Sequence, residues 1–121
     1  MTHADSLISC LPKPPLGARE LLTPEQAVEL VAVFKTLAND TRLRMIHALA
    51  RTGEMCVSEM SALLAMKPQA ISNQLIRLAD RGIVGSRRNG NNIYYRIVDP
   101  CVLQLLDHGL CLSEDSKASN R

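Results

Sequence analysis

A helical segment runs directly into a hairpin between residues 67 and 98, and this junction limits the possible folds more than any other feature of the chain. Residues 67–82 repeat apolar side chains with the helical period, whereas residues 83–98 form two β-prone runs around Asn89-Gly90. An Asn-Gly pair at this place predicts a tight hairpin, because both residues tolerate a positive φ. Three helical segments precede the junction and one follows it, so the sequence predicts a mainly α (α+β) fold in the order α-α-α-α-β-β-α.

Local signals place the helix ends. Thr23 as N-cap, Pro24 at the first helical position and Gln26 two residues later predict the start of the first helix. Gly53 is typical of a helix end, and Pro68 of a helix beginning. The short third helix is expected within CVSEMSALLAM, residues 56–66. A short helix, a tight break, a polar-faced helix and a basic hairpin together predict a winged helix-turn-helix.

The chain divides into three predicted segments. Residues 1–22 contain LPKPPLG without a sustained period and are expected to form a flexible arm. Residues 23–112 hold the folded domain, whose last helix follows a cap at Asp99 and Pro100. Residues 113–121, SEDSKASNR, are expected to be a disordered tail.

Charge and composition narrow the classes of partner. The net charge is only +2, but residues 81–98 hold four arginines and no acid, and this strip suits phosphate groups. Three aromatic residues are too few for a protein that stacks single-stranded bases. No apolar run approaches a membrane span, and residues 1–15 do not resemble a secretory signal. We therefore expect a cytoplasmic protein with reduced cysteines.

The fourth helix has one hydrophilic face that is unusually suited to base edges. At 100° per residue, Ile71, Leu75 and Leu78 point inward. The opposite face and the hairpin carry the candidate DNA contacts, which are Gln69, Ser72, Asn73, Arg77, Arg87 and Arg88. Amides can pair with adenine and Arg with guanine, whereas arginines on a wing can hold flanking phosphates. A solvent-facing polar helix with a solvated hairpin is the alternative.

Four stretches resemble the successive motifs of the ArsR/SmtB family of metal-responsive repressors: LANDTRLRMIHAL, CVSEMSALL, QAISNQLIRLADRGIV and RRNGNNIYYRI. The resemblance covers residues 27–112. It implies a homodimeric winged-helix repressor that leaves double-stranded operator DNA when an inducer ion binds. It also places Gln69, Ser72 and Asn73 at the family's DNA-reading positions, although many members have His at the position of Asn73.

The last helix is apolar nearly all round, which predicts a partner for it. Its apolar residues are Val102, Leu103, Leu105, Leu106, Leu110 and Leu112. A helix without a free polar face is expected to be buried. We therefore expect a homodimer that forms through the N- and C-terminal helices.

The cysteines Cys10, Cys56, Cys101 and Cys111 are the candidate metal ligands, although none forms a CxxC pair. Ten helical residues separate Cys101 from Cys111 by ~15 Å and about 80°, so one straight helix cannot bring both to one ion. Two such helices running antiparallel across a dimer would set Cys101 of one protomer against Cys111 of the other.

The family resemblance adds further possible ligands. Asp99 and Cys101 match one pair of family ligands, and His108 or Glu114 is a candidate partner for Cys111 in the second. The alternative is that Asp99 serves only as the N-cap of the last helix. Cys56 matches one member of a third-helix cysteine cluster and would need help from Cys10. Thiolates select soft ions, so Hg(II), As(III), Cd(II) or Pb(II) is expected, and Zn(II) less so. Since thiolates must lose protons, binding should weaken at low pH.

Three other functions remain open at this point. A winged-helix repressor could sense oxidants or persulfides through the pair Cys101 and Cys111. A cysteine enzyme would need a base beside a thiolate, and the sequence singles out neither such a base nor a small organic substrate, so we expect no enzyme. A winged helix could also bind protein rather than DNA.

Overall fold

The computed structural model describes residues 13–119, and these form five α-helices and a three-stranded antiparallel sheet. The helices are α1 (Pro24–Leu37), α2 (Asp40–Thr52), α3 (Val57–Leu64), α4 (Pro68–Asp80) and α5 (Cys101–Ser119), and a 3₁₀ turn precedes them at Leu16–Ala18. The strands are β1 (Met55–Cys56), β2 (Val84–Asn89) and β3 (Asn92–Ile97). This order confirms the winged helix-turn-helix expected from the sequence.

Side chains close in sequence fix the first two helix starts. The Thr23 hydroxyl accepts a hydrogen bond from the Gln26 amide at 3.1 Å, and the Gln26 side chain accepts one from the Thr23 amide at 2.9 Å. Asn39 caps α2 by accepting from the Arg42 amide at 2.9 Å. Gly53, at a φ of +90°, ends α2. The capping box and the glycine stop therefore lie where the sequence predicts them.

The turn between α3 and α4 differs from the sequence expectation. Helix α3 begins at Val57 rather than Cys56 and ends at Leu64, because Ala65 adopts the left-handed conformation with a φ of +55°. Alanine rarely takes this conformation, so the sequence gives no local sign of the stop. Helix α4 begins at Pro68, as expected.

The hairpin is shifted by one residue from its expected frame. Its ladder runs from Val84 opposite Ile97 to Asn89 opposite Asn92, so Gly90 and Asn91 form the turn. Of the two residues expected to need a positive φ, only Gly90 has one, at +64°. A third strand, β1, pairs with β3 and makes it the central strand of the sheet. Two residues are too short to give a sequence period, and β1 was therefore not predicted.

The core lies between α2, α3 and α4. Seven large side chains are fully buried there: Met45, Ile46, Leu49, Met60, Ile71, Leu75 and Leu78. The sheet contributes Met55 and Val84, whereas α1 and α5 contribute only Leu37 and Val102 to the buried set. The helix-turn-helix is thus packed from its own apolar faces, and the two terminal helices sit at its margin.

Helices α1 and α5 keep much apolar surface exposed in the single chain. The large apolar side chains exposed on these two helices are Val28, Leu30, Val31, Phe34, Leu105, Leu110 and Leu112. An apolar cleft of about 830 Å³ lies between α1, α2 and α5. Phe34 and Leu110, each about half exposed, line it. Exposed apolar surface of this kind is typical of sites where proteins associate.

The end of α5 corrects the expectation of a disordered tail at residues 113–121. Helix α5 continues to Ser119, although residues 113–117 are exposed. This segment contains neither Gly nor Pro, and Glu114 and Lys117 stand three residues apart, a spacing that supports a helix. Its polar composition suggested disorder, yet nothing in it stops the helix that precedes it. Residues 1–12 of the expected arm, and residues 120–121, lie outside the described chain.

Two neighbouring residues on α4 offer a matched test of this packing. Leu75 is fully buried and Ile76 is 58% exposed. We expect Leu75→Ala to lower the free energy of unfolding by about 2–5 kcal/mol, because it removes buried apolar surface and leaves a cavity. Ile76→Ala should change it by less than about 0.5 kcal/mol. Urea denaturation at one fixed protein concentration measures both, and equal effects would contradict the assigned orientation of α4.

Candidate nucleic-acid interface and thiol positions

Helix α4 presents a polar face whose orientation is fixed by its buried side. Ile71, Leu75 and Leu78 have no solvent exposure, whereas Gln69, Asn73 and Arg77 are exposed and Ser72 is half-buried. The Gln69 side-chain amide donates a hydrogen bond to Asn73 Oδ1 at 3.0 Å. This bond holds the two amides side by side and leaves the Asn73 NH₂ group and the Gln69 oxygen available to another partner.

A polar bridge ties α4 to the first two helices. The Arg42 guanidinium donates from Nε to the Thr36 carbonyl at 2.6 Å and from Nη1 to Gln74 Oε1 at 2.7 Å. Arg81, just beyond α4, donates to Thr36 Oγ1 at 3.3 Å and pairs with Glu29 at 3.2 Å. The end of α1 and the start of α2 therefore hold α4 at two points along its length.

The hairpin places its two neighbouring arginines differently. Arg87 donates two hydrogen bonds to the Glu54 carboxylate, at 2.7 and 2.8 Å, and lies 5.2 Å from the centre of the Tyr94 ring. Arg88 is exposed and makes no ion pair within residues 13–119. Gly90 and Asn91 occupy the tip of the hairpin, and both arginines lie on β2 before it. The Arg87 guanidinium is thus paired with Glu54 although its side chain is about half exposed, whereas Arg88 is exposed and open to a phosphate.

The Glu54–Arg87 pair alters the ionisation of both groups. The hydrogen bonds from Arg87 lower the pKa of the Glu54 carboxyl, with a further contribution from the positive charges of Arg87 and Arg96. The same hydrogen bonds to Glu54 raise the pKa of Arg87. Both groups therefore stay charged at neutral pH, and the pair pins the middle of β2 to the loop before β1.

Cys56 lies at the junction of the sheet and the helix-turn-helix. It is buried, it ends β1, and its amide donates to Glu59 Oε1 at 3.0 Å at the start of α3. Its Sγ lies 3.2 Å from Ser58 Oγ. These contacts give Cys56 a structural role in the single chain.

Cys101 and Cys111 lie at separate places on α5. Cys101 is the first residue of α5 and half-buried, and its amide donates to Asp99 Oδ1 at 3.0 Å, so Asp99 caps the helix. Cys111 is exposed, and its Sγ is 3.8 Å from Asp115 Oδ2. His108 is exposed between them. Cys10 lies outside the described residues.

The described chain does not assemble a metal site by itself. Within residues 13–119, no three His, Cys, Asp or Glu side chains are grouped so that they could hold one ion. Thiolate donors nevertheless match a soft ion, and two of them lie on α5, where Leu105, Leu110 and Leu112 are also exposed. The donor set therefore fits an ion only if side chains of a second copy, or of residues 1–12, complete it.

Sequence reasoning missed the residues that hold this surface in place. Arg42, Gln74 and Glu54 carry no motif, and their contacts join residues 32 and 33 positions apart. The only indication in the sequence was that residues 81–98 contain no acid, so that any carboxylate paired with the hairpin arginines had to come from another part of the chain.

Helices α3 and α4, the break at Ala65 and the following hairpin define a winged helix-turn-helix DNA-binding domain. The family model described as "Bacterial regulatory protein, arsR family" matches residues 39–86. The chain also matches the Staphylococcus aureus "Cadmium resistance transcriptional regulatory protein CadC homolog", with 30% identity over 74% of each chain. The protein belongs to the ArsR family of transcriptional regulators, and no relative named here is an enzyme.

Two further relatives are more similar in sequence. The crystal structure of the AntR antimony-specific transcriptional repressor is 59% identical, has a TM-score of 0.75, and matches 90% of this chain and 98% of that one. The "Arsenic resistance transcriptional regulator ArsR1" of Pseudomonas putida is 44% identical over 89 residues, which are 74% of this chain. The match spans 64% of that relative's length. Among residues 13–119, no helix is both long and apolar enough to cross a bilayer.

The Glu54–Arg87 pair predicts a pH-dependent stability. Glu54→Gln should lower the urea midpoint at neutral pH, because it removes the charge that Arg87 contacts. Since the folded-state pKa of Glu54 is lowered, this contribution is complete above the ordinary glutamate pKa of about 4.3 and is lost as the pH falls through the lowered value. The midpoints of the two proteins should therefore converge in acid.

The control for that experiment is Glu20→Gln, which removes an exposed carboxylate that forms no ion pair in the described chain. Its midpoint should follow that of the unaltered protein at every pH. A Glu54→Gln difference that stays constant from about pH 7 to about pH 3 would show that the pair does not stabilise the hairpin.

Proposed function

We propose that this protein is a dimeric repressor that binds operator DNA through α4 and releases it when a soft metal or metalloid ion binds to cysteine thiolates. The observation that carries the proposal is the exposed polar face of α4, held in one orientation by three buried residues and by the Arg42 bridge. Such a protein acts in the cytoplasm, where operator DNA and reduced thiols are both present.

The DNA contacts divide by chemistry. Gln69, Ser72 and Asn73 meet base edges in a major groove, and the amides of Gln69 and Asn73 suit adenine. Arg77 and Arg88 are exposed and suit guanine or phosphate. Arg87 keeps its bonds to Glu54 and fixes the hairpin, so we assign it a positioning role rather than the phosphate contact expected from the sequence.

A second copy of the chain completes the molecule. The apolar surface on α1 and α5 is too extensive for a monomer, and Phe34 and Leu110 line the cleft that a partner helix would fill. A twofold axis through these helices sets two α4 helices on one side of the dimer, about one turn of DNA apart. The operator is then an imperfect palindrome.

The ion is bound where two copies of α5 meet. Cys101 of one protomer and Cys111 of its partner supply the thiolates, with Asp99 or His108 as further ligands and Cys10 from the N-terminal segment. Cys56 remains a weaker candidate, because it is buried and contacts Ser58. The relatives named for arsenic, cadmium and antimony support a soft ion. The 59% identity to the antimony-specific repressor favours Sb(III), followed by As(III), over the Hg(II), Cd(II) and Pb(II) also expected from thiolate chemistry.

The two binding events are linked through the dimer. A bound ion supplies a fixed link between the two α5 helices. Thr36, near the end of α1, contacts both Arg42 and Arg81, so a change in how α1 and α5 pack is passed to α4. The ion weakens DNA binding by some factor, and DNA must weaken ion binding by the same factor.

A thiol-oxidation switch is the second candidate, because the Cys111 side chain is exposed on α5. An oxidant that removes two electrons and two protons from Cys101 and Cys111 of different protomers would join the same two helices by a disulfide. An exposed thiolate is the form that oxidants attack.

Gel-shift titrations of the operator distinguish these candidates. We expect Sb(III) or As(III) to release the DNA under reducing conditions, and Cys101→Ser or Cys111→Ser to abolish that release without weakening DNA binding. Mixed dimers that carry one Cys101→Ser and one Cys111→Ser subunit should retain a single shared site and respond partly. Release that requires a mild oxidant and is reversed by a thiol would favour the redox switch, and release by neither would contradict sensing at α5.

The reading role of Asn73 has its own test. Asn73→Ala should cost about 1–3 kcal/mol of operator affinity, because it removes the amide donor from the Gln69–Asn73 pair that contacts the base edge, and it should leave binding to non-operator DNA nearly unchanged. The control is Gln104→Ala, which also removes an exposed side-chain amide, but from α5 rather than from α4. Fluorescence anisotropy with both duplexes measures the effect. Equal losses on operator and non-operator DNA would place Asn73 away from the bases.

A further inference from the structure

A small basic cavity lies where α1, α2 and α4 meet. Its volume is about 180 Å³, and Lys35, Thr36, Arg42 and Arg77 line it. We call it the basic notch. Arg77 belongs to the exposed face of α4, whereas Lys35 is near the end of α1 and Arg42 is in the first turn of α2.

Three cationic side chains line the basic notch, and no carboxylate does. Lys35 and Arg77 make no ion pair or side-chain hydrogen bond with residues 13–119. Arg42 uses one N–H each for Thr36 and Gln74, so three of its five donors remain. Like charges held together without a counter-charge repel one another, and an anion between them would remove that cost.

The donors in the basic notch suit a tetrahedral oxyanion. Two guanidinium groups offer planar pairs of N–H donors that match phosphate oxygens, and the Lys35 ammonium adds a point charge. The Thr36 hydroxyl already donates to the Ala32 carbonyl at 3.0 Å and accepts from Arg81, so the arginines and the lysine carry the recognition.

Position decides which oxyanion is the ligand. Arg77 follows Asn73 by four residues, about one helical turn along the same exposed face of α4. When Asn73 meets a base edge, Arg77 and the basic notch lie one turn further along, where a groove gives way to the sugar-phosphate backbone. A free anion would gain nothing from this alignment.

We propose that the basic notch binds a phosphate group of the DNA backbone beside the bases that α4 reads, with Lys35 and Arg42 as contacts in addition to those on α4 and the hairpin. This inference rests on the proposed DNA binding. The notch fixes the depth and register of α4 in the groove. It also makes Arg42 serve two purposes, because the same side chain holds Gln74 and faces the phosphate.

Salt dependence of operator binding tests the inference. Lys35→Gln removes an exposed charge that forms no internal bond, so the protein should fold normally and remain dimeric. We expect the slope of log K against log salt to become shallower by about 0.9, and the affinity to fall roughly five- to tenfold near 0.1 M salt, equally on operator and non-operator duplexes. Lys117→Gln, the same change near the end of α5, is the control.

A neutral methylphosphonate, placed at one backbone position at a time, locates the contact. At one position the unaltered protein should lose about as much affinity as Lys35→Gln loses, and combining the two changes should cost little more than either alone. Additive losses at every position would overturn the assignment, as would a Lys35→Gln slope equal to that of Lys117→Gln.

The remaining outcomes separate the possible failures. If inorganic phosphate at matched ionic strength raises the melting temperature of the unaltered protein but not of Lys35→Gln, while DNA affinity is the same for both, the ligand is a free oxyanion and the DNA assignment is wrong. If the unaltered protein binds no duplex at all, the proposed function fails together with this inference. If the unaltered protein binds duplex DNA but Lys35→Gln changes neither the affinity nor the salt slope, this inference alone fails.

Discussion

The packing of one side of α4 against α2 and α3 determines what the other side can do. Ile71, Leu75 and Leu78 have no exposed surface, and a helix advances 100° per residue, so their burial leaves no freedom in where Asn73 and Arg77 point. The left-handed Ala65 ends α3, and α4 begins three residues later at Pro68. The orientation of the proposed reading surface is therefore a consequence of core packing, and a loosened core would lose this fixed orientation before it lost the fold.

The two terminal helices depend on a different constraint, because the single chain cannot cover them. Among the residues of α1 and of α5 up to 117, only Leu37 and Val102 are buried, and apolar side chains such as Val31 and Leu112 are exposed. The same two helices hold the residues that contact α4 indirectly, through Thr36, and the two α5 thiols. The exposed apolar surface, the two α5 thiols and the contacts that orient α4 thus share one set of elements, which is the physical basis for the proposed coupling between ion binding and DNA binding.

Features set by neighbouring residues were predictable from the sequence, and features set by distant ones were not. The capping box at Thr23, the stop at Gly53 and the start at Pro68 involve residues a few positions apart, and each lies where it was expected. The pairing of Glu54 with Arg87 and of Arg42 with Gln74 depends on how the chain folds back, and no local pattern encodes it. The candidate base contacts followed from helical period alone. The basic notch could not, because its lining comes from three different helices.

The hairpin strip looks more basic in the sequence than it is in space. Of its four arginines, Arg81 is opposite Glu29 and Arg87 opposite Glu54, so about half of its positive charge is cancelled by acids from elsewhere. Affinity for arbitrary DNA grows with the number of uncompensated cations. A regulator with few of them spends less time trapped on the millions of irrelevant genomic sites, so a small number of molecules per cell can keep a single promoter occupied.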